Sequence, residues 1–149
     1  MAKKTFKGRV VLTGEVSGTA TVSRQAFNTS GSYLENMFAG RTDSAPCTDA
    51  SNKELFGKDL SGAILCIPTT VGSTMGGMAL MGMKEIGVGP EALLFSKPID
   101  TLAAAGVLMA DIWKDKRIVT IDMLGDEFLE TVQMGDPITI HEDGTVEIG

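Results

Sequence analysis

A short apolar run, a glycine-rich turn and a methionine-rich segment follow one another near the middle of the chain and constrain its fold more than any other stretch. Residues 63–67 (Ala-Ile-Leu-Cys-Ile) have the unbroken apolar character of a buried strand. Residues 68–77 (Pro-Thr-Thr-Val-Gly-Ser-Thr-Met-Gly-Gly) have turn chemistry, and the segment after them favours a helix over residues 76–86. The sequence therefore predicts a strand, a tight turn and a helix N-terminus in direct succession.

The turn before this predicted helix suits an anion, because a helix N-terminus presents unpaired backbone N–H groups and the positive end of the helix dipole. Ser73 lies in the middle of the turn, between Gly72 and Thr74. Ser and Thr are also common N-cap residues, so the role of Ser73 or Thr74 could be limited to capping the helix. The local pattern leaves both interpretations open.

Composition and charge exclude several classes of function. The 149 residues carry a net charge of −6 and only 5% aromatic side chains. The chain therefore lacks the basic face and the stacking platform that nucleic-acid binding requires. The N-terminal residues have no apolar run like that of a secretory signal, and no stretch is long and apolar enough to span a bilayer. We therefore expect a cytoplasmic protein.

The two cysteines, Cys47 and Cys66, are too few to form a disulfide framework in a chain of this length. We expect both to be free thiols, with Cys66 buried in its strand. Two cysteines alone also cannot hold an iron–sulfur cluster, which usually needs three or four protein ligands. The sequence predicts no metal site within this chain.

The remaining pattern predicts one α/β layered domain that spans residues 1–149 without an internal repeat or linker. The first two expected strands, residues 7–12 and 19–22, would pair as a hairpin or meander. Further strands are expected at 92–95, 107–110 and 118–121, and a hairpin is expected from 137–141 with 145–148. A short helix is expected at 102–105, capped by Asp100 or Thr101 and stopped by Gly106. A helical turn is expected at 126–132.

A polar stretch, residues 23–52, interrupts this pattern. Long polar loops inside a compact domain are more often functional or disordered than merely connective. Four apolar residues predict that this stretch packs against the domain: Phe27, Leu34, Met37 and Phe38. Arg41 is either a solvated surface residue or a residue that grips a carboxylate or phosphate, which the planar guanidinium group suits.

Titratable groups are scarce around the glycine-rich turn. His141 is the only histidine and falls in the predicted C-terminal hairpin, so we expect a surface role for it. The residues around Ser73 do not form the Gly-x-Ser-x-Gly pattern of a nucleophile elbow, and the chain has no Gly-Lys-Ser/Thr motif of a P-loop. The chain therefore looks like one part of an active site whose remaining groups lie on a second chain.

Several stretches together resemble the small subunit of aconitase X, which is also called its swivel domain. The central ones are residues 66–68 with residues 71–77, residues 94–100 (Leu-Phe-Ser-Lys-Pro-Ile-Asp) and residues 103–110 (Ala-Ala-Ala-Gly-Val-Leu-Met-Ala). The resemblance also takes in Lys7-Gly8-Arg9, Gly18-Thr19-Ala20 and parts of residues 49–58. It covers most of the chain.

The resemblance implies a swivelling β/β/α layered fold and a larger catalytic subunit that carries an iron–sulfur cluster or iron. It implies hydro-lyase chemistry, in which water is removed from a small hydroxy acid and the iron acts as a Lewis acid on the departing hydroxyl group. Known substrates in the family are cis-3-hydroxy-L-proline in bacteria and phosphomevalonate in archaea. We favour a substrate like cis-3-hydroxy-L-proline, and we expect no activity without the large subunit.

By this resemblance, Ser73 matches the serine that acts as the catalytic base and takes the proton from the carbon next to the carboxylate. The residues expected to contact substrate are Gly72, Thr74, Phe27, Asn28 and Arg41. Residues 27–32 depart from the glycine-rich loop that relatives carry here, and Gly77 stands where relatives often have Ser. The departure in the loop bears on which substrate is bound.

Two alternatives belong to other classes. A phosphohistidine carrier domain has the same kind of swivelling fold, but it needs a histidine close to its glycine turn, and His141 is far along the chain. A binding domain without chemistry of its own is the other alternative. A phosphate-labelling experiment addresses the first, and a thermal-shift screen against hydroxy acids addresses the second.

Overall fold

Strands and helices alternate through the middle of the chain, and antiparallel strands come from both ends. The structure, a computed structural model, describes residues 2–72 and 74–149. The strands are β1 (Lys4–Lys7), β2 (Arg9–Leu12), β3 (Val16–Val22), β4 (Phe27–Asn28), β5 (Ile64–Ile67), β6 (Thr70–Val71), β7 (Ala92–Phe95), β8 (Val119–Asp122), β9 (Pro137–Ile140) and β10 (Thr145–Ile148). The helices are α1 (Thr29–Ser32), α2 (Leu34–Phe38), α3 (Gly76–Glu85), α4 (Thr101–Lys114) and α5 (Asp126–Thr131).

All strands except β4 and β6 form one sheet, in the order β1-β10-β9-β3-β5-β7-β8-β2. The neighbours β3, β5, β7 and β8 are parallel, whereas the other pairs in this sheet are antiparallel. β1 and β2 lie at opposite ends of this order although only Gly8 separates them in the chain. The two ends of the sheet therefore meet, and the sheet folds over itself into two β layers.

Alternate residues of the parallel strands point into two different apolar cores, which explains why these strands are apolar throughout. Leu65 and Leu93 belong to the core that lies under α3 and α4. Cys66 and Leu94 belong to the core between the two β layers, where α5 contributes Phe128. The layers thus follow the order β/β/α, as predicted for a swivelling domain.

Helices α3 and α4 pack side by side and approach each other closely at two glycines. A Cβ atom placed on Gly77 would lie 2.7 Å from the carbonyl oxygen of Leu102. A Cβ atom placed on Gly106 would lie 2.6 Å from the carbonyl oxygen of Gly77. These neighbours are backbone atoms and cannot rotate away, so only glycine fits at either position without a shift of the helices. The contact fixes α3 to α4.

The structure corrects the prediction for the segment that contains Gly106. α4 continues through this residue, so Gly106 does not stop a helix and the strand expected at 107–110 is part of α4. Ala103, Val107 and Ala110 are buried at helical spacing, and this periodicity identifies the segment as one helix lying on the sheet. The predicted cap is confirmed, because the Asp100 side chain accepts a hydrogen bond from the N–H of Ala103.

The predicted N-terminal hairpin is also wrong. β2 pairs with β8, and β3 pairs with β5 and β9. The residues between β2 and β3 carry the chain from the edge of the sheet to its interior and do not fold it back on itself. The strands expected at 92–95 and 118–121 are confirmed, as are the turn of helix near 126–132 and the C-terminal hairpin of β9 with β10.

The polar stretch 23–52 packs against the domain as predicted, and two of the four predicted anchors, Phe27 and Met37, contact the core. Phe27 and Tyr33 are fully buried, with their rings in an edge-to-face contact at 6.2 Å. Leu34 and Phe38 are exposed, because α2 turns Asn36 inward in their place. The buried amide of Asn36 donates hydrogen bonds to two backbone carbonyl oxygens and so closes the loop after α2.

Both cysteines are free, as predicted, and the burial expected for Cys66 is found for Cys47 as well. Of the helices in the described part of the chain, none combines the length and the apolar character needed to cross a bilayer.

Replacing Gly106 with alanine should lower the free energy of unfolding by about 1–3 kcal/mol, the usual cost of overpacking. The physical reason is the collision of the new Cβ atom with the backbone of Gly77. Gly82→Ala in α3 is the matched control, because a Cβ atom there meets nothing within 4 Å and alanine should stabilise the helix by up to about 1 kcal/mol. Urea unfolding followed by circular dichroism measures both. Equal midpoints for the two variants would contradict a tight helix crossing.

Candidate functional site

Ser73, the residue expected to act as a base, lies outside the described residues, but the chain on both sides of it is described. β6 ends at Val71, Gly72 follows with a φ of +121°, and α3 begins at Gly76. The predicted strand is β5, and the predicted helix begins at Gly76 as expected. The segment predicted as a turn also contains the short strand β6, which the sequence did not predict. Thr74 is exposed and does not cap α3, whose N-cap position is taken by Met75.

The N-terminus of α3 is electrostatically suited to an anion. Its first turn contains no acidic side chain, so nothing in that turn offsets the positive end of the helix dipole. The residue before the turn, Val71, and the residue at the N-cap, Met75, are both exposed. The described residues on both sides of Ser73 are thus open to solvent or to a partner.

Asn28 forms one wall of the turn. β4 pairs with β6 in parallel, which places Asn28 opposite Val71. The Oδ1 atom of Asn28 accepts a hydrogen bond from the N–H of Gly31 at 3.0 Å and caps α1. A Cβ atom at Gly72 would lie 2.7 Å from the same Oδ1 atom. Position 72 therefore requires glycine for two reasons, its positive φ and the proximity of Asn28.

Phe27 supports this wall from inside the core. Its side chain is fully buried and contacts the ring of Tyr33, so it is not placed to touch a ligand in this chain. It positions Asn28, the next residue, and α1 beyond it. The structure thus places Phe27 and Asn28 beside residues 70–72 of the turn, and the contacts of these residues and of Thr74 with substrate stay predictions.

Arg41 is engaged elsewhere. Its Nε atom donates to a carboxylate oxygen of Glu35 at 2.7 Å, and its Nη1 atom lies 3.5 Å from Asp43 and 3.3 Å from the hydroxyl of Ser44. The hydrogen bond and the charge of Glu35 raise the pKa of Arg41 above its ordinary value. None of these partners belongs to the Gly72 turn, so the role of Arg41 in substrate binding stays a prediction that these contacts do not favour.

Asp100 holds the chain just before the turn, a role that the sequence interpretation missed. One carboxylate oxygen accepts from the N–H of Ala103 at 3.0 Å and caps α4. The other accepts from the hydroxyl of Thr70 at 2.6 Å and from its N–H at 3.2 Å. The signal was present in the order of elements, since Thr70 follows β5 and Asp100 follows β7, and the carboxyl ends of neighbouring parallel strands meet at one edge of a sheet.

A second carboxylate at this edge positions the loop before α4. Asp122 is fully buried at the end of β8 and accepts two hydrogen bonds from the guanidinium group of Arg9, at 2.9 and 2.6 Å. It also accepts from the N–H of Ile99 at 2.7 Å. The hydrogen bonds to Asp122 raise the pKa of Arg9 above its ordinary value. Asp122 therefore links the edge strand β2 to the loop that ends at Asp100.

An open cavity of about 280 Å³ lies at the same edge of the sheet. Pro68 and Ser96, which follow β5 and β7, line it together with Arg24, Lys97 and the acidic residues Asp126 and Glu130 of α5. The hydroxyl of Ser96 is buried and has no hydrogen-bond partner. Both basic and acidic side chains line the cavity, so its charge does not indicate which ligand it would bind.

The described residues do not fit an iron–sulfur cluster or an iron ion. Within residues 2–72 and 74–149, no group of three or more His, Cys, Asp or Glu side chains is arranged to hold a metal. Burial raises the pKa of the Cys66 thiol, which disfavours the thiolate form that binds metals. His141 pairs with Glu147 at 3.1 Å in the hairpin of β9 and β10, away from the Gly72 turn. This position also disfavours a phosphohistidine carrier.

The fold and the turn together define a swivelling β/β/α domain. A family model described as the aconitase X swivel domain matches residues 5–148. The chain belongs to the aconitase X swivel domain family. The family and fold predicted from the sequence are thereby confirmed.

Relatives of this chain are named as dehydratases. It is 28% identical over 144 residues to the phosphomevalonate dehydratase small subunit of Archaeoglobus fulgidus, and the match covers 96% of this chain and 97% of the relative. It is 30% identical over 160 residues to the cis-3-hydroxy-L-proline dehydratase of Hypocrea jecorina, where the match covers 95% of this chain but 25% of that protein. These names agree with the predicted class, a hydro-lyase subunit.

Among solved structures, the holo-form of aconitase X from Thermococcus kodakaraensis superposes on this chain with a TM-score of 0.80. The superposition covers 98% of both chains at 24% sequence identity. At this identity the likeness concerns the fold, and it supports the β/β/α arrangement described above.

Asp100→Ala should lower the free energy of unfolding by about 2–3 kcal/mol, because it removes a helix cap and the charged acceptor of Thr70. Thr101→Ala, at the next and exposed position, is the control and should change stability by less than about 0.5 kcal/mol. Amide hydrogen exchange should also accelerate at Thr70 in the Asp100 variant. Unchanged protection of the Thr70 amide would argue against the proposed link between α4 and β6.

Proposed function

We propose that this chain is the small subunit of a two-subunit hydro-lyase that removes water from a small hydroxy acid. We also propose that residues 1–149 act as a single swivel domain in the cytoplasm. Two free, buried cysteines favour a reducing compartment. The Archaeoglobus relative, which is matched over 97% of its length, is named a small subunit. The Hypocrea relative contains the matching region as 25% of its length, which supports a large partner for this chain.

The main support for this proposal is that the described residues around the Gly72 turn provide only some of the groups that removal of water requires. The Gly72 turn offers a positive-φ glycine, the amide wall of Asn28 and a helix N-terminus without acidic side chains. The nearest acid that the structure ties to the turn, Asp100, is occupied with hydrogen bonds to Thr70 and Ala103. Since the described residues around the turn leave no other acid free for this task, we assign the groups that act on the substrate hydroxyl to another chain.

Ser73 is the proposed base. In the reaction its oxygen takes the proton from the carbon next to the substrate carboxylate, and the electrons of that C–H bond form a double bond as the hydroxyl group on the neighbouring carbon departs. A serine oxygen is basic enough only if positive charge lowers the cost of its ionised form. The N-terminus of α3 supplies part of that charge, and we assign the remainder to the partner.

The iron or iron–sulfur cluster of the family is assigned to the large subunit. The described residues of this chain offer no ligand set for it. The partner is therefore the expected source of any metal that the complete enzyme contains, and metal analysis of this chain alone should find none bound in stoichiometric amount.

The favoured substrate is a compound like cis-3-hydroxy-L-proline, with phosphomevalonate as the second candidate. The residues that line the turn, Asn28, Thr29 and Ser30, are uncharged. The guanidinium charge of Arg41 is already paired with Glu35 and Asp43. A phosphorylated substrate would need cations for its phosphate group, and in that case the large subunit would have to supply them.

The isolated chain should show no turnover of either substrate, whereas its complex with the large subunit from the same genome should turn over one of them. The reason is that each subunit holds only part of the site. Mass spectrometry of the dehydrated product measures this with each substrate in turn. Turnover by the isolated chain would contradict the proposal, as would a stable complex without dehydratase activity on any hydroxy acid.

Ser73→Ala should reduce kcat of the complex by at least about 100-fold, the lower range expected for loss of a positioned base, without changing the affinity of the subunits. Ser17→Ala is the control with the same chemical change. Ser17 lies near the start of β3, at the opposite edge of the sheet from the Gly72 turn, and its replacement should leave kcat unchanged. Equal kcat values for the Ser73→Ala and Ser17→Ala complexes would show that Ser73 is not the base.

A further inference from the structure

A row of three residues lies where the parallel strands β3, β5 and β7 end, and it forms one wall of the cavity at this edge of the sheet: Arg24, Pro68 and Ser96. Each of them lies two positions beyond a residue of the core between the two β layers, and those core residues are register partners of one another. The hydrogen bonds of the sheet continue past the strands, because the N–H of Ser96 donates to the carbonyl oxygen of Ile67 at 3.1 Å. Since alternate residues of a strand share a side, the row faces the side on which α5 packs.

Helix α5 forms the opposite wall. Asp126 and Glu130 line the cavity and lie four positions apart, so they share one side of the helix. Leu129, which is buried, and Pro68 give the cavity an apolar wall. The crevice beyond the carboxyl ends of parallel strands is a common place for ligands in α/β sheets. The volume of about 280 Å³ is close to the lower limit of about 300 Å³ for ligand pockets, so the cavity suits a small molecule.

The charge of the cavity alone does not identify a ligand, but the partners of its side chains narrow the choice. Arg24 is already paired with Glu54, at 3.2 Å. Among the residues that the structure describes, Lys97, Asp126 and Glu130 take part in no ion pair. The cavity is therefore lined by a cation and by two carboxylates that are unpaired and do not reach one another.

The hydroxyl group of Ser96 is the second observation that points to a ligand. Ser96 is 5% exposed, and its Oγ atom has no hydrogen-bond partner in the described chain. A buried hydroxyl group without a partner costs free energy, and buried polar groups in proteins are nearly always hydrogen-bonded. A ligand in the cavity that accepts a hydrogen bond from Ser96 accounts for this group.

We propose that this cavity binds a small amino acid in its zwitterionic form. The carboxylate of the ligand accepts hydrogen bonds from the Ser96 hydroxyl and the Lys97 ammonium group, and its own ammonium group donates to Asp126 and Glu130. The apolar wall contacts its hydrocarbon part. A ligand with a single sign of charge would leave either Lys97 or the two carboxylates without a partner. The inference concerns binding to this chain and does not depend on the proposed function.

The first test uses L-proline, whose compact ring suits the apolar wall. In a titration of the ¹⁵N-labelled chain followed by NMR, the amide signals of Ser96 and Lys97 should shift and saturate with a dissociation constant of about 1 mM or lower. Pyrrolidine and cyclopentanecarboxylate have a similar ring but one charge each, and they should bind at least about tenfold more weakly because each lacks one set of ionic hydrogen bonds. Absence of saturable shifts with L-proline would overturn the inference, and so would equal affinity for either analogue.

The second test changes the carboxylate wall. Glu130→Gln should weaken L-proline binding by about fivefold or more, because it removes a charged acceptor. Glu127→Gln is the matched control, since Glu127 is an exposed residue of the same helix that does not line the cavity. The two variants should have the same melting temperature. Equal dissociation constants for them would show that the ligand does not contact this wall.

The third test changes the buried hydroxyl group. Ser96→Ala should keep the melting temperature of the chain, because the free protein has no hydrogen bond to lose there. The same variant should bind L-proline about tenfold more weakly, the effect expected when a hydrogen bond to a charged group is lost. An unchanged dissociation constant would overturn the assignment of Ser96 to the ligand.

A final comparison identifies the source of the amino acid and separates this inference from the proposed function. Binding of cis-3-hydroxy-L-proline that is about tenfold tighter than that of L-proline would support the inference with the substrate as ligand, whereas equal binding would support it with another amino acid. A chain that binds L-proline but forms no active dehydratase contradicts the proposed function alone. An active dehydratase whose small subunit binds neither amino acid at this cavity overturns the inference alone.

Discussion

The contact of Gly77 with Gly106 determines where the candidate site lies. Gly77 is the second residue of α3, so its contact with α4 fixes the chain just after the turn. Asp100, at the start of α4, fixes the chain just before the turn through Thr70. The same helix thus anchors both sides of a short segment whose geometry matters to the chemistry. Rigid support of this kind from outside the reacting groups is what a preorganised site requires.

The closeness of the two helices also explains a departure from relatives. The resemblance to the family led us to expect serine at position 77, and this chain has glycine there. Here a side chain at that position would meet the carbonyl oxygen of Leu102. Glycine at position 77 is therefore explained by the packing of α3 on α4, and it does not indicate which substrate is bound.

Much of the fold could be predicted because the parallel strands are apolar throughout and are followed by turn residues. The runs that became β5 and β7 needed no further information. Gly106 misled the interpretation, since glycine more often ends a helix than continues one, and the reason for it lies on another helix. Leu34 and Phe38 misled it as well, because the burial of Tyr33 and Asn36 depends on contacts with residues distant in the sequence.

Only those features of the candidate site that depend on residues close together in the sequence could be predicted. The turn, the helix N-terminus and the nearness of Asn28 follow from a local pattern and from a resemblance. The roles of Asp100 and Asp122 depend on which strands are neighbours, and the sequence does not state that order. Arg41 is a similar case, because the sequence shows a permanent positive charge in a loop but does not show that Glu35 is the carboxylate it binds.

The closure of the sheet has a consequence for how the protein is made. β1 pairs with β10, so Lys4 lies opposite Ile148, at the other end of the chain. The core between the two β layers includes residues of β9 and β10 and cannot be sealed before they exist. During synthesis β1 must wait until β10 has left the ribosome before its partner strand is available. Pairings between distant segments form slowly, so closure of the sheet by β1 and β10 should be a late step in folding.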